Sequence, residues 1–301
     1  MAGKADSLRT IFYALGANFA IGLAKLGAAL ATGSSAMLAE AIHSFADCGN
    51  QALLLVGLQR AKRPPSPDFP LGYGKAIYFW SFIVALVLFS LGGLASVYEG
   101  VHRLSSPEPL SWPWVAVGVL AFGIAAETVS LLACLREIAK VRGGRSLWQW
   151  FRDSRQSELV VILGEDVAAE VGLALALLAV LVTIATGNPV YDALGSIAIG
   201  AVLIVVAIGI GVEIKGLLIG QSAEPDTEAA IRAFLDGRAE VEKVFRLITL
   251  QLGGTLMVSV KARMKGASAA ELVASINAVE TALRERFPDV QWLFFEPDVA
   301  D

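Results

Sequence analysis

Six long apolar runs, at roughly 10–31, 36–59, 77–104, 112–135, 158–186 and 190–219, set the terms for everything else in this chain. A helix needs about 20 predominantly apolar residues to cross the hydrocarbon of a bilayer, so the runs predict an all-α membrane bundle of six helices over residues 1–220. The composition agrees: 55% of residues are hydrophobic and 17% charged, and the mean hydropathy of +0.63 lies outside the usual soluble range. No small-residue cleavage motif follows a short apolar core at the start, so residues 1–9 are expected to lead straight into the first span and not to form a cleavable signal peptide.

Lys and Arg concentrate in cytoplasmic loops. Arg60, Lys62, Arg63 and Lys75 flank the connection between spans two and three, and Arg136, Lys140, Arg142, Arg145, Arg152 and Arg155 fill that between four and five. The connections at 33–35, 105–113 and 187–190 carry neither residue type. Both termini are therefore expected in the cytoplasm, and in a bacterium the membrane would be the inner one. The net charge of -4 offers no electrostatic reason to expect a nucleic-acid partner. Cys48 and Cys134 fall within spans without zinc or redox spacing and are expected to be small buried residues.

Within the second run, Glu40, His43, Asp47 and Asn50 recur at helical intervals. At 3.6 residues per turn they share a stripe about 80° wide. Ionisable groups at bilayer depth are expensive and normally mark an ion or proton path. An imidazole and a carboxylate one turn apart can grip a divalent cation of the zinc type. The fifth run supplies Glu165 and Asp166 about two turns in, and it runs antiparallel to the second, so its acids can approach His43 and Asp47. His43, Asp47 and Asp166 would give three ligands of a tetrahedral site, with Glu165, Asn50, Glu127, Glu170 or water as the fourth. For Asp166 the competing reading is a packing acid paired with a lysine such as Lys25. Glu127 is a candidate for the transport path. Glu99 with His102 and Arg103 reads as a local polar network, Asp192 as the N-terminal cap of span six, and Lys25 as a structural lysine that snorkels or pairs with an acid.

From about residue 221 the periodicity becomes that of a soluble domain. Residues 226–236 read as an amphipathic helix, 244–252 and 255–263 as a hairpin around Gly253-Gly254, 268–287 as a second helix and 290–295 as a third strand. This order suits a cytoplasmic α+β layer of ferredoxin-like type over 221–301, with an exposed sheet edge or face suited to pairing with a second copy. The domain has no His and no Cys, which argues against a high-affinity zinc site inside it.

The segment from Ser35 through Glu40 and His43 to Asp47 resembles the second-span signature of the cation diffusion facilitator family of zinc transporters, and Phe69-Pro70-Leu71-Gly72-Tyr73-Gly74-Lys75 resembles that family's turn into span three. Glu165-Asp166 followed by Val167-Ala168-Ala169, with Ala126-Glu127, resembles the branch typified by the ninth human zinc transporter. In one respect the chain departs from the family pattern: four residues before Asp166, where a second His or Asp is common, stands Ile162. The resemblance implies export of zinc or a similar divalent metal (Mn, Fe, Co, Ni, Cd) against proton movement, by a homodimer whose tails dock below the membrane. Neutral His43 and ionised Asp47 and Asp166 would bind either metal or proton, and glycines such as Gly164, Gly172 and Gly195 would let the helices pack closely as they rock. Two rival readings use the same residues, a metal-sensing receptor and an intramembrane metalloenzyme; no HExxH motif supports the latter.

Overall fold

The structure is a computed structural model that describes residues 3–300, with side chains from Asn18 onward. The helices are α1 (Gly3–Thr32), α2 (Ser35–Ala61), α3 (Ala76–Val87), α4 (Ala95–Ser105), α5 (Pro113–Val141), α6 (Leu147–Asp153), α7 (Ser157–Thr186), α8 (Val190–Ile219), α9 (Pro225–Asp236) and α10 (Ala269–Arg286). The strands are β1 (Val241–Leu252), β2 (Thr255–Met264) and β3 (Val290–Pro297). A π-helical segment, Leu88–Leu94, joins α3 to α4 without interruption.

Among the described residues, four helices are long and apolar enough to cross a membrane: Ala76–Ser105, Pro113–Val141, Ser157–Thr186 and Val190–Ile219. Exposed apolar side chains such as Phe122, Leu178 and Val205 cover their outer faces, as contact with hydrocarbon requires. The first two predicted spans are also helical but weaker as membrane segments. In α1 the apolar stretch is the shorter Asn18–Thr32, and the side chains of 10–17, part of that predicted span, lie outside the described residues. In α2 the run is diluted by Glu40, His43, Asp47, Asn50 and Gln51.

The chain divides into two compact units, and the division does not fall at one point in the sequence. One unit comprises the chain up to Val56 with Trp80–Arg145 and Glu158–Glu213; the other comprises Gly57–Phe79, Ser146–Ser157 and the chain from Ile214. The second unit is thus wider than the predicted 221–301 domain. Hydrogen bonds explain why. The Tyr78 hydroxyl accepts from Gly253 N at 3.0 Å, and the Arg155 guanidinium donates to the carbonyls of Ser222 at 2.7 Å and Ala223 at 3.4 Å.

In the first unit, backbones approach closely where side chains are small. A Cβ on Gly200 of α8 would stand 2.6 Å from the Gly93 carbonyl, and one on Gly100 2.7 Å from the Ala193 carbonyl. Across the same seam Ser196 Oγ donates to the Ser96 carbonyl at 2.8 Å. Small residues and hydroxyls are the usual glue between helices in lipid. Asp192 corrects an expectation. It does not cap its own helix; its carboxylate accepts from Ser34 Oγ at 2.5 Å, Ser35 N at 2.6 Å, Ser35 Oγ at 2.8 Å and Ala36 N at 3.4 Å. It caps α2 from across the bundle, satisfying backbone donors that a helix start leaves without partners.

In the second unit β1 and β2 pair antiparallel and β3 lies parallel to β2, so α10 is the crossover of a three-stranded mixed sheet ordered β1-β2-β3. Alternation sorts the faces. Leu247, Val258, Val260 and Leu293 join Ile231 and Leu235 of α9 and Val279 and Leu283 of α10 in one core. Thr249 Oγ1 ties α9 to the sheet by donating to Glu228 Oε2 at 2.9 Å. On the opposite face Ile248, Ser259 and Phe294 form one cross-strand row, and Ile248 and Phe294 are about half exposed.

Candidate metal centre

The candidate centre is built by α1, α2, α5 and α7 within the first unit. The start of α2 is set by Ser34, whose hydroxyl accepts from Met37 N at 3.1 Å, and by Asp192. From there the helical period carries His43, Asp47 and Asn50 into the bundle. Asp47, Glu165 and Asp166 meet at one cavity of about 30 Å³, walled also by Asn18, Ser44, Gln51, Glu127, Ile162 and Ala169. A space of that size holds a water-sized occupant.

Of the four residues expected to bind metal, three therefore share this cavity and His43 does not line it. His43 is fully buried, with Nε2 3.5 Å from Asp47 Oδ2. Among the described residues no group of three or more His, Cys, Asp and Glu side chains stands in a metal-holding arrangement. The helical wheel gives the reason. Ser44, Asp47 and Gln51 fall within about 60° of one another at 100° per residue, while His43 lies about 40° to the far side of Asp47. The predicted stripe and the cavity wall are neighbouring faces of α2 that share Asp47.

The remaining polar atoms show what the centre lacks. Glu165 Oε1 accepts from Asn50 Nδ2 at 2.6 Å, Asp166 Oδ1 accepts from Ser130 Oγ at 3.3 Å and Glu170 Oε1 from Thr128 Oγ1 at 2.9 Å. Asp47 Oδ1, Asp166 Oδ2, Asn50 Oδ1 and both His43 ring nitrogens are buried with no hydrogen-bond partner among the described residues. Buried acceptors without partners are rare and costly, and a cation in the cavity would satisfy the oxygens of Asp47 and Asp166, which line it. Ile162 forms apolar wall at the position where the family pattern commonly has a ligand.

Other sequence readings are resolved by geometry. Lys25 pairs with Glu40 at 3.3 Å, not with Asp166. Glu127 lines the cavity. Glu99 accepts from Arg103 at 3.1 Å, Arg103 also reaches Glu108, and His102 stacks on Tyr98. Cys48 and Cys134 are buried and free. Asn18, Ser44 and Gln51 escaped the sequence reading, although the three- and four-residue intervals linking 44, 47 and 51 were a signal for the latter two.

Residues 11–219 match the family of cation efflux transmembrane domains. The mitochondrial proton-coupled zinc antiporter of Xenopus laevis is 35% identical over 231 residues, 76% of this chain and 41% of that protein. Metal tolerance protein C4 of Arabidopsis thaliana is 32% identical over 241 residues, 79% of this chain and 53% of the relative. An uncharacterised transporter of Synechocystis is 26% identical over 270 residues, 87% of this chain and 81% of the relative. The chain thus spans about half the length, or less, of the first two relatives it matches.

Proposed function

The chain belongs to the cation efflux family and is an integral membrane protein, and on that premise we propose that it exports a divalent metal, zinc foremost, in exchange for protons. The observation that carries this reading is the meeting of Asp47, Glu165 and Asp166, from two helices, at one cavity inside an apolar bundle. Several relatives named as zinc antiporters support the choice of metal and counter-ion. Membership of a cation efflux family leaves no support for the metalloenzyme reading.

The proposed cycle follows from what the side chains can do. Carboxylates that bind a metal must be ionised and an imidazole neutral, so metal and protons compete for the same lone pairs. In the described arrangement His43 is turned away from the cavity and Glu165 is occupied by Asn50. A rotation of α2 by about 40–60°, on the order of half a residue's turn, would bring His43 forward and free Glu165 to serve as the fourth ligand in place of Ile162. Coupling that rotation to rocking of the bundle gives alternating access. Six spans with both termini in the cytoplasm, a ferredoxin-like tail and a homodimer complete the proposal.

Reconstituted proteoliposomes test it. Zinc should accumulate on the acidic side of an imposed pH gradient, and Asp47→Ala and Asp166→Ala should each abolish that accumulation. Saturable zinc binding without flux would instead favour a metal sensor, and accumulation unaffected by either substitution would remove the site.

A further inference from the structure

The Lys25–Glu40 ion pair lies beyond the cavity and takes no part in the ligand set. Both side chains are completely buried. Lys25 Nζ is 3.3 Å from Glu40 Oε2 and donates to Ser44 Oγ at 2.8 Å. The neighbouring helices leave room for the pair by lacking side chains: a Cβ on Gly123 of α5 would stand 3.5 Å from Lys25 Cε, and one on Gly172 of α7 only 2.5 Å from Glu40 Oε1.

The four helices that meet at this pair are the four that wall the cavity, and the sequence offsets all run one way. Lys25 follows the cavity residue Asn18 on α1, Glu40 precedes Asp47 on α2, Gly123 precedes Glu127 on α5, and Gly172 follows Glu165 on α7. α1 and α7 end, and α2 and α5 begin, at one end of the bundle, where Ser111 N donates to the Thr32 carbonyl at 2.7 Å and Asp192 holds Ser34 and Ser35. Offsets of four to seven residues, at 1.5 Å per residue, set the pair about 6–10 Å from the cavity toward that end.

We propose that Lys25 and Glu40 form a gate on the cation path, sealing the cavity from the Thr32–Ser35 end of the bundle until the pair parts. Stability does not account for a lysine here. Apolar residues can replace a buried ion pair with little loss, and ionisable groups at membrane depth ordinarily belong to ion paths. Ser44 connects gate and cavity, because its hydroxyl accepts from Lys25 and the residue lines the cavity with Asp47. Glu40 Oε1, buried and without a hydrogen-bond partner among the described residues, offers an oxygen to an ion passing the opened gate.

This inference rests on the transporter reading, and its test separates the two. In a Cys48→Ala, Cys134→Ala background, Ala169→Cys places a thiol on the cavity wall one helical turn from Glu165 and Asp166, and a membrane-impermeant thiol reagent is applied from the side bearing residues 33–35. Adding Lys25→Gln with Glu40→Gln, which keeps side-chain size but removes both charges, should speed labelling about tenfold, ~1.4 kcal/mol of lost closure. Zinc leak without a pH gradient should rise with it, and the charge-swapped Lys25→Glu with Glu40→Lys should restore slow labelling. If the doubly neutral protein does not fold, Lys25→Gln alone, which removes the ammonium and lets Glu40 neutralise by taking up a proton, carries the same expectation. Labelling unchanged from the parent in these neutral variants overturns the gate, whether or not the parent transports zinc. Absence of zinc flux in the parent overturns the transporter reading instead.

Discussion

At the residue scale, the proposed centre is a meeting of three carboxylates, Asp47, Glu165 and Asp166, at one cavity. Asp47 is the residue shared by the ligand stripe of α2 and the cavity wall, so Asp47→Ala should lower transport more than any other single change on that helix, without unfolding the protein. Glu165 and Glu170 lie on the same helix but answer to different donors, Asn50 and Thr128. Glu165 borders the cavity and Glu170 does not. Glu165→Gln should therefore weaken zinc binding, measured calorimetrically in detergent, by about tenfold or more, and Glu170→Gln by far less. Equal effects would remove Glu165 as the fourth ligand. His43→Asp exchanges nitrogen for oxygen and should shift a metal competition panel toward harder cations such as Mn²⁺; an unchanged order would make His43 structural.

At the element scale, α2 is held in place by residues of other helices. Asp192 takes two backbone donors and two hydroxyls at the α2 start, all buried. Asp192→Ala strands them, at a cost of about 2–3 kcal/mol, and should lower the melting temperature of the detergent-solubilised protein clearly. Asp192→Asn should do less damage, because its amide oxygen still accepts. At the end of β3, Asp298 is held below the usual carboxylate range, first by the hydrogen bond from Lys261 and then by the Val299 and Ala300 N–H groups. Its folded value is depressed, so its small stabilisation is complete above the unfolded value near 3.9 and fades as pH falls through the folded one. Asp298→Asn should thus leave stability at pH 7 slightly lower and reduce its loss on acidification.

At the scale of the whole molecule, the open face of the sheet is the surface that suits a second copy. Ile248 and Phe294 stand in one row across β1, β2 and β3, on the side away from α9 and α10. On the proposed homodimer, Ile248→Glu combined with Phe294→Glu should convert dimer to monomer in light-scattering measurements. Dimers that persist would move the interface into the membrane helices. Zinc should not change the tail's contribution to the melting curve, because the segment from 221 contains no His or Cys.

The helices and the tail's order of elements were legible in the sequence, because each depends on a period repeated within one segment. A long apolar run closes its backbone hydrogen bonds internally, and alternation marks β1 and β2, whatever surrounds them. Partner choice has no such local trace. Asp192 could cap its own helix or another, Lys25 could meet Asp166 or Glu40, and only the packing of α1, α2, α7 and α8 decided between them. The same holds for the site. Helical spacing placed His43 and Asp47 on one stripe, but which edge of that stripe faces α5 and α7 depends on the rotation of α2, so Ser44 and Gln51 reached the cavity wall and His43 did not. A rotation of a fraction of a turn alters no local hydrogen bond in a helix, and the tertiary structure alone selects it.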